Sequence, residues 1–199
     1  MAILETVLSP STVPIEEPQP FTLEEFEILS ISYPDLRLEM TKEGELEMMP
    51  PAGGESGNKN ADLTADLVLW NLSTNQGKVF DSSTGFLLPN GAKRSPDASW
   101  ITLQKWEELT QAQRVGFLPL CPDFVAELRS PTDRLSSLQS KMREYISCGA
   151  KLGWLIDPVS RRVEIYRPHQ DVEVLDDPLS VSGEPVLPGF TLSLKSILG

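Results

Sequence analysis

Histidine is nearly missing from this chain of 199 residues: His169 is the only one. A multi-histidine metal centre and any chemistry that needs paired histidines are therefore excluded. His169 sits in Tyr166-Arg167-Pro168-His169-Gln170, a turn-like segment expected to face solvent. Cysteine is scarce too. Cys121 and Cys148 stand outside any Cys-x-x-Cys pair, so neither a disulfide framework nor a cysteine-rich zinc site is indicated, and both are expected to be reduced and packed. No apolar run reaches the roughly 18 residues of a membrane span. Met1 to Pro20 also lacks the basic start and apolar centre of a signal peptide, and a cytoplasmic location is expected. The chain has no Gly-x-Ser-x-Gly elbow, no Gly-x-x-x-x-Gly-Lys phosphate loop, no Gly-x-Gly-x-x-Gly turn, and no internal repeat.

Positive charge is in deficit as well. Against 29 Asp and Glu there are 17 Lys and Arg, a net −12 that argues against coating nucleic acid by bulk electrostatics. The imbalance is local: residues 1–49 carry −9, whereas residues 50–149 carry only −1. Lys93, Arg94, Arg129, Arg134, Lys141 and Arg143 lie in that near-neutral stretch and can meet a polyanion.

The length suits one domain, residues 21–199, behind a flexible Pro-rich arm over residues 1–20, where Pro10, Pro14, Pro18 and Pro20 oppose helix formation. In Phe21-Thr22-Leu23-Glu24-Glu25-Phe26, Thr22 and Glu25 form a capping box and predict a helix start, with Phe21 stapled to Phe26. Leu36 to Met40 and Glu45 to Met49 flank Thr41-Lys42-Glu43-Gly44 and predict a hairpin. Gly53-Gly54-Glu55-Ser56-Gly57 reads as a break before a helix over Asn60 to Leu72. Strands are predicted at Lys78 to Asp81, Gly85 to Leu88, Ala98 to Leu103, Asp123 to Leu128, Leu152 to Ile156 and Val163 to Tyr166. Trp106 and Leu109 fall in a short helix. A further helix, capped by Thr132 or Asp133, carries Leu135, Leu138, Met142 and Ile146 on one face and ends near Gly149. Helices interspersed among mixed strands indicate an α/β or α+β fold on one sheet.

Three charged residues stand out in this frame. Asp97 follows Pro96, Glu127 lies in Phe124-Val125-Ala126-Glu127-Leu128, and Lys141 precedes Met142. An ionised carboxylate in so apolar a strand is costly unless a cation or donor compensates it, and an ion pair of Glu127 with Arg129 or Arg94 is the plain structural alternative. Strand alternation puts Val125, Glu127 and Arg129 on one face and Phe124, Ala126 and Leu128 on the other. If the Asp97 strand is adjacent, two carboxylates converge on one hard cation, for which magnesium fits best, with manganese an acceptable substitute. A nearby ammonium can orient or polarise water at such an ion, and Lys141 is the candidate.

The run Glu127-Leu128-Arg129-Ser130-Pro131-Thr132-Asp133, then Lys141, Tyr145, Gly149, Gly153-Trp154-Leu155-Ile156-Asp157-Pro158 and Val163-Glu164-Ile165-Tyr166, resembles the Uma-two family of restriction-endonuclease-like proteins over about residues 21 to 198. That family belongs to the PD-(D/E)xK nuclease superfamily, and Pro96-Asp97 followed by Glu127 resembles its signature. The resemblance implies a restriction-endonuclease-like mixed central sheet flanked by helices and a magnesium-dependent endonuclease acting on DNA. It also implies Asp97 and Glu127 as metal ligands, Lys141 as the positive catalytic group, and Arg129 and Arg94 as substrate contacts. The superfamily's usual lysine position holds Arg129, which cannot lose its proton and serves as a phosphate clamp instead. An auxiliary acid from the first core helix is matched by Glu55, with Glu39 as a weaker choice. A homodimer is expected because cutting both strands of a duplex suits two symmetric sites. The rival reading is a non-catalytic interaction or regulatory module that retains the fold.

Overall fold

The structure, a computed structural model, describes residues 19–199, so the arm expected over residues 1–20 lies outside the described residues except for its last two positions. Helix α1 (Leu23–Ser32) starts as the sequence predicts: Thr22 accepts from the Glu25 amide while the Glu25 carboxylate accepts from the Thr22 amide. Its one buried side chain, Phe26, meets Phe117 edge-on at 5.7 Å. The hairpin β1 (Arg37–Met40) and β2 (Leu46–Met49) follows, then helix α2 (Gly54–Thr74). α2 begins six residues before the expected Asn60. The glycines do not break it, because Glu55 complements the positive end of the helix and pairs with Lys59 one turn on, while Leu63, Leu67 and Trp70 anchor the same helix in the core.

The remaining elements are β3 (Gly77–Asp81), β4 (Phe86–Leu87), β5 (Lys93–Arg94), β6 (Ala98–Thr102), α3 (Leu103–Glu108), α4 (Gln111–Val115), β7 (Phe124–Leu128), α5 (Leu135–Ser147), β8 (Leu152–Asp157), β9 (Arg162–Tyr166), β10 (Glu173–Asp176), β11 (Ser180–Ser182), β12 (Thr191–Ser193) and α6 (Lys195–Leu198). The central sheet has the order β10-β9-β8-β7-β6-β3, with β7 and β8 parallel and their neighbours antiparallel. α5 is the crossover that parallel pairing requires. The β1–β2 hairpin does not join this sheet. It forms a separate four-stranded sheet, β2-β1-β5-β4, in which β4 falls within the predicted Gly85 to Leu88 and the two-residue β5 is too short to leave a periodic signal in the sequence. β11 and β12 form a third, two-stranded sheet.

Alternation on β7 divides the core as expected. Phe124, Ala126 and Leu128 pack with α2, Trp154 and the C-terminal segment, whereas Val125 packs with Met142 and Tyr145 of α5. α5 comes close to the sheet at Gly153, where a Cβ would stand 2.4 Å from Met142 Cε. The cap of α5 differs from expectation. Arg134 occupies that position without a side-chain bond, and Asp133 instead accepts from the Ser130 amide at 2.7 Å, tightening the preceding loop. Gly149 ends the helix region with φ 110°, a conformation that glycine adopts without a Cβ clash. Among the described residues, no helix is long and apolar enough to cross a membrane.

Candidate active site

The antiparallel register of β6 and β7 pairs Ala98 with Ala126 and so brings Asp97, one step outside β6, toward Glu127. Asp97 is held at both oxygens. The Leu128 amide donates to Oδ2 at 2.8 Å, and Asn60 Nδ2 of α2 donates to Oδ1 at 3.0 Å. Glu127 is buried, and its Oε1 accepts from the Tyr145 hydroxyl at 3.1 Å. Lys141 and Tyr145 are one turn apart on α5, which aims both at the same carboxylate. Lys141 Nζ stands 3.0 Å from Glu127 Oε1 and 2.8 Å from Glu39 Oε1. Glu39 enters from β1 and also accepts from the Ser95 amide at 2.8 Å. The ion pair of Glu127 with Arg129 or Arg94 does not form; the partner is Lys141.

Negative charge exceeds positive charge here, and the ionisation states follow. Burial pushes the Glu127 carboxyl up to about 8, against the pull of Lys141 and with reinforcement from the charges of Asp97 and Glu39. Burial also raises Asp97, with the Leu128 amide and Lys141 opposing it. Burial works against the Glu39 carboxylate as well, yet Lys141 and Arg94 more than offset it and hold its pKa low. Lys141 is raised: its burial is outweighed by Glu127 and Glu39, so it stays an ammonium.

The other sequence candidates lie apart from this contact set. Glu55 is on the exposed first turn of α2, bonded to Lys59 at 2.7 Å, on the wall of the same cavity but not among the groups bonded to Asp97, Glu127 or Lys141. Arg129 also lines that cavity and donates to Asp157 Oδ2 at 2.9 Å. Arg94 is buried and committed to Glu39, Glu47 and Glu144. His169 is exposed, as expected. Glu39 was the weaker choice for an auxiliary acid, and it is the one in contact with Lys141. Tyr145 and Asn60 went unassigned. The spacing of Tyr145 from Lys141 was a usable signal, whereas nothing local marks Asn60.

Asp97, Glu127 and Lys141 face a cavity of about 1260 Å³ that also receives Arg37, Lys59 and Arg129. Among the described residues, no group of three or more His, Cys, Asp or Glu side chains is arranged to hold a metal ion. Asp97 and Glu127 alone still suit magnesium, which takes one or two carboxylates and keeps several waters. The chemistry of the donor set agrees: acidic oxygens are under-neutralised, and the buried Oδ1 of Asn60, beside Asp97, has no hydrogen-bond donor among the described residues. The residues present therefore fit a hard divalent cation.

The sequence profile of the Uma2 family, described as "Putative restriction endonuclease", matches residues 23–195. No curated protein matches the chain. Among solved structures, the fold is similar to that of a protein from Anabaena variabilis ATCC 29413, described as a putative nuclease belonging to DUF820. The two align with a TM-score of 0.76 and 22% identity, covering 90% of this chain and 98% of that one. The profile match takes in both core sheets, the crossover helix and every residue of the acidic cluster, and on it the chain belongs to the Uma2 family of restriction-endonuclease-like proteins.

Proposed function

We propose that the protein is a magnesium-dependent endonuclease that hydrolyses DNA phosphodiester bonds, with manganese able to replace magnesium. The observation that carries this reading is the convergence of Asp97, Glu127 and Lys141 on one cavity from the approach to β6, from β7 and from α5. Asp97 and Glu127 would hold the ion, which when bound would stabilise negative charge on the phosphate and lower the pKa of a water. Lys141 does not take a proton from that water, because its neighbours keep it charged; it orients and polarises the water as a donor. Glu39 holds the Lys141 ammonium and takes the auxiliary position for which Glu55 was expected. Arg129, on the cavity wall, clamps a flanking phosphate. Arg94 supports Glu39 from behind, with its Nε and Nη1 engaged by Glu39, Glu47 and Glu144. A homodimer and a cytoplasmic location belong to the same reading, since duplex cleavage suits two symmetric sites.

Titration calorimetry with magnesium and manganese, alongside cleavage of plasmid and oligonucleotide DNA, tests the proposal. Wild type should bind the ion and cut, and Asp97→Asn should lose both while keeping its circular dichroism. A wild type that binds no ion and leaves every DNA substrate intact would return the protein to the non-catalytic reading.

A further inference from the structure

Asn60 lies in the second turn of α2, on the wall of the cavity that Asp97 and Glu127 face. A carboxylate accepts and does not donate, so the bond of 3.0 Å to Asp97 Oδ1 must use the NH2 end of the amide. That chemistry fixes the orientation of the group and decides which end is left over. The end left over is Oδ1, buried and without a donor among the described residues. Buried side-chain oxygens are nearly always satisfied, so this acceptor calls for a donor that the described residues do not supply. Bulk charge cannot explain the choice of residue. Glu39, Asp97 and Glu127 already crowd the site with acid, and a neutral amide offers an oxygen without adding a fourth charge.

We propose that Asn60 is a two-ended positioning residue of the metal centre, holding Asp97 through its amide N–H while its Oδ1 accepts a hydrogen bond from a water carried by the divalent cation. This rests on the reading of Asp97 and Glu127 as ion ligands. A water on a divalent cation is a stronger donor than a bulk water, and magnesium keeps several such waters. The amide thereby ties the orientation of the carboxylate to that of the hydrated ion, as groups behind metal ligands commonly do.

Manganese binding read by electron paramagnetic resonance tests the proposal on wild type, Asn60→Ala, Asn60→Asp and Asp97→Asn, with circular dichroism of each in chelator. Asn60→Ala should bind Mn2+ about 10–100-fold more weakly with an unchanged spectrum. Asn60→Asp keeps an oxygen acceptor but cannot donate to Asp97 when ionised, so its affinity should fall between those of Asn60→Ala and wild type. If Asn60→Asp is as weak as Asn60→Ala, the residue serves only to hold Asp97 and the proposed water contact is overturned. Wild-type affinity in Asn60→Ala, with binding lost in Asp97→Asn, overturns the inference and leaves the metal reading standing. Absence of Mn2+ binding by wild type overturns both. Should Asn60→Ala fail to fold, Asn60→Leu, which keeps the volume but lacks both ends of the amide, takes its place in each comparison.

Discussion

Lys141 and Glu39 are 102 residues apart in sequence, and Lys141 Nζ is 2.8 Å from Glu39 Oε1. The same ammonium reaches Glu127 at 3.0 Å, so one lysine is shared by acids from two different sheets. Lys141→Ala should therefore do two things. It should reduce DNA cleavage by roughly a hundredfold or more, as loss of one electrostatic contributor does. It should also cost about 3 kcal/mol of stability, because Glu39 is left buried without its closest cation. The double variant Lys141→Met with Glu39→Gln removes both charges and should recover most of the stability but none of the cleavage, as read by melting and by nuclease assay. Full cleavage by the double variant would remove Lys141 from the chemistry.

Arg129 offers the contrasting case. Arg129→Ala should weaken DNA binding and flatten its salt dependence more than it slows the chemical step, since a phosphate clamp releases counterions on engagement. Equilibrium binding at several salt concentrations, together with single-turnover rates, separates the two effects. If turnover collapses in Arg129→Ala while Lys141→Ala still cuts normally, the positive role belongs to the Glu-x-Arg spacing.

Glu127 is held by Tyr145 and Lys141 yet pushed up to about 8 by burial and by the neighbouring charges of Asp97 and Glu39. In chelator near pH 8, Glu127→Gln should raise the melting temperature, because the amide keeps the shape without the repelled charge. The gain should be on the order of a few kcal/mol or less. A large loss instead would identify Glu127 as an obligatory partner of Lys141 in the metal-free protein.

An acid-sensitive ion pair lies at the start of the central strand β7. Asp123 is buried; burial opposes its ionisation, but the Thr102 amide, Lys151 and Lys105 more than offset this and hold its pKa low. A lowered folded pKa contributes stability that is present above the ordinary aspartate value and is lost as pH falls through the lower folded one. Asp123→Asn should thus cost about 2 kcal/mol at pH 7. The gap to wild type should close below about pH 4, near the ordinary aspartate value. Denaturant midpoints measured across that range check it, and a gap independent of pH would contradict it.

Gly153→Ala should cost about 1–3 kcal/mol, since the new methyl meets Met142 Cε at 2.4 Å in a filled core. It should also slow cleavage, because Met142 adjoins Lys141. Shortening Met142 to Val in the same chain should restore both. A double-mutant cycle on melting and on rate reads the coupling, and strict additivity would show that the two sites do not communicate.

Much of this was legible before any coordinates. The alternation of Phe124-Val125-Ala126-Glu127-Leu128 divides the strand between the same two core faces that the structure contains. The Thr22–Glu25 capping box marks a helix start because its signal is wholly local. Glu39 was harder to rank. Its burial depends on Lys141, Arg94 and Ser95, all distant in sequence, and a four-residue strand carries no mark of a second sheet folding over the first. Asn60 was less visible still, because a polar residue on a helix reads as solvated until its partner is known. Glu55 drew notice through its glycines, yet those glycines lie within α2 and the side chain faces outward onto Lys59.

The glycine at position 153 also sets the order in which the centre can come into being. α5 presents Lys141 and Tyr145, and it is seated where β8 leaves out a side chain beneath Met142. A growing polypeptide that has emerged only as far as Cys148 contains all three acids, the lysine and the tyrosine, yet lacks the floor on which the helix rests. Its acidic groups are parts without an assembly. Loop closure over such separations is slow relative to local structure, so α5 has no seat for Met142 until β8 has been made and paired with β7.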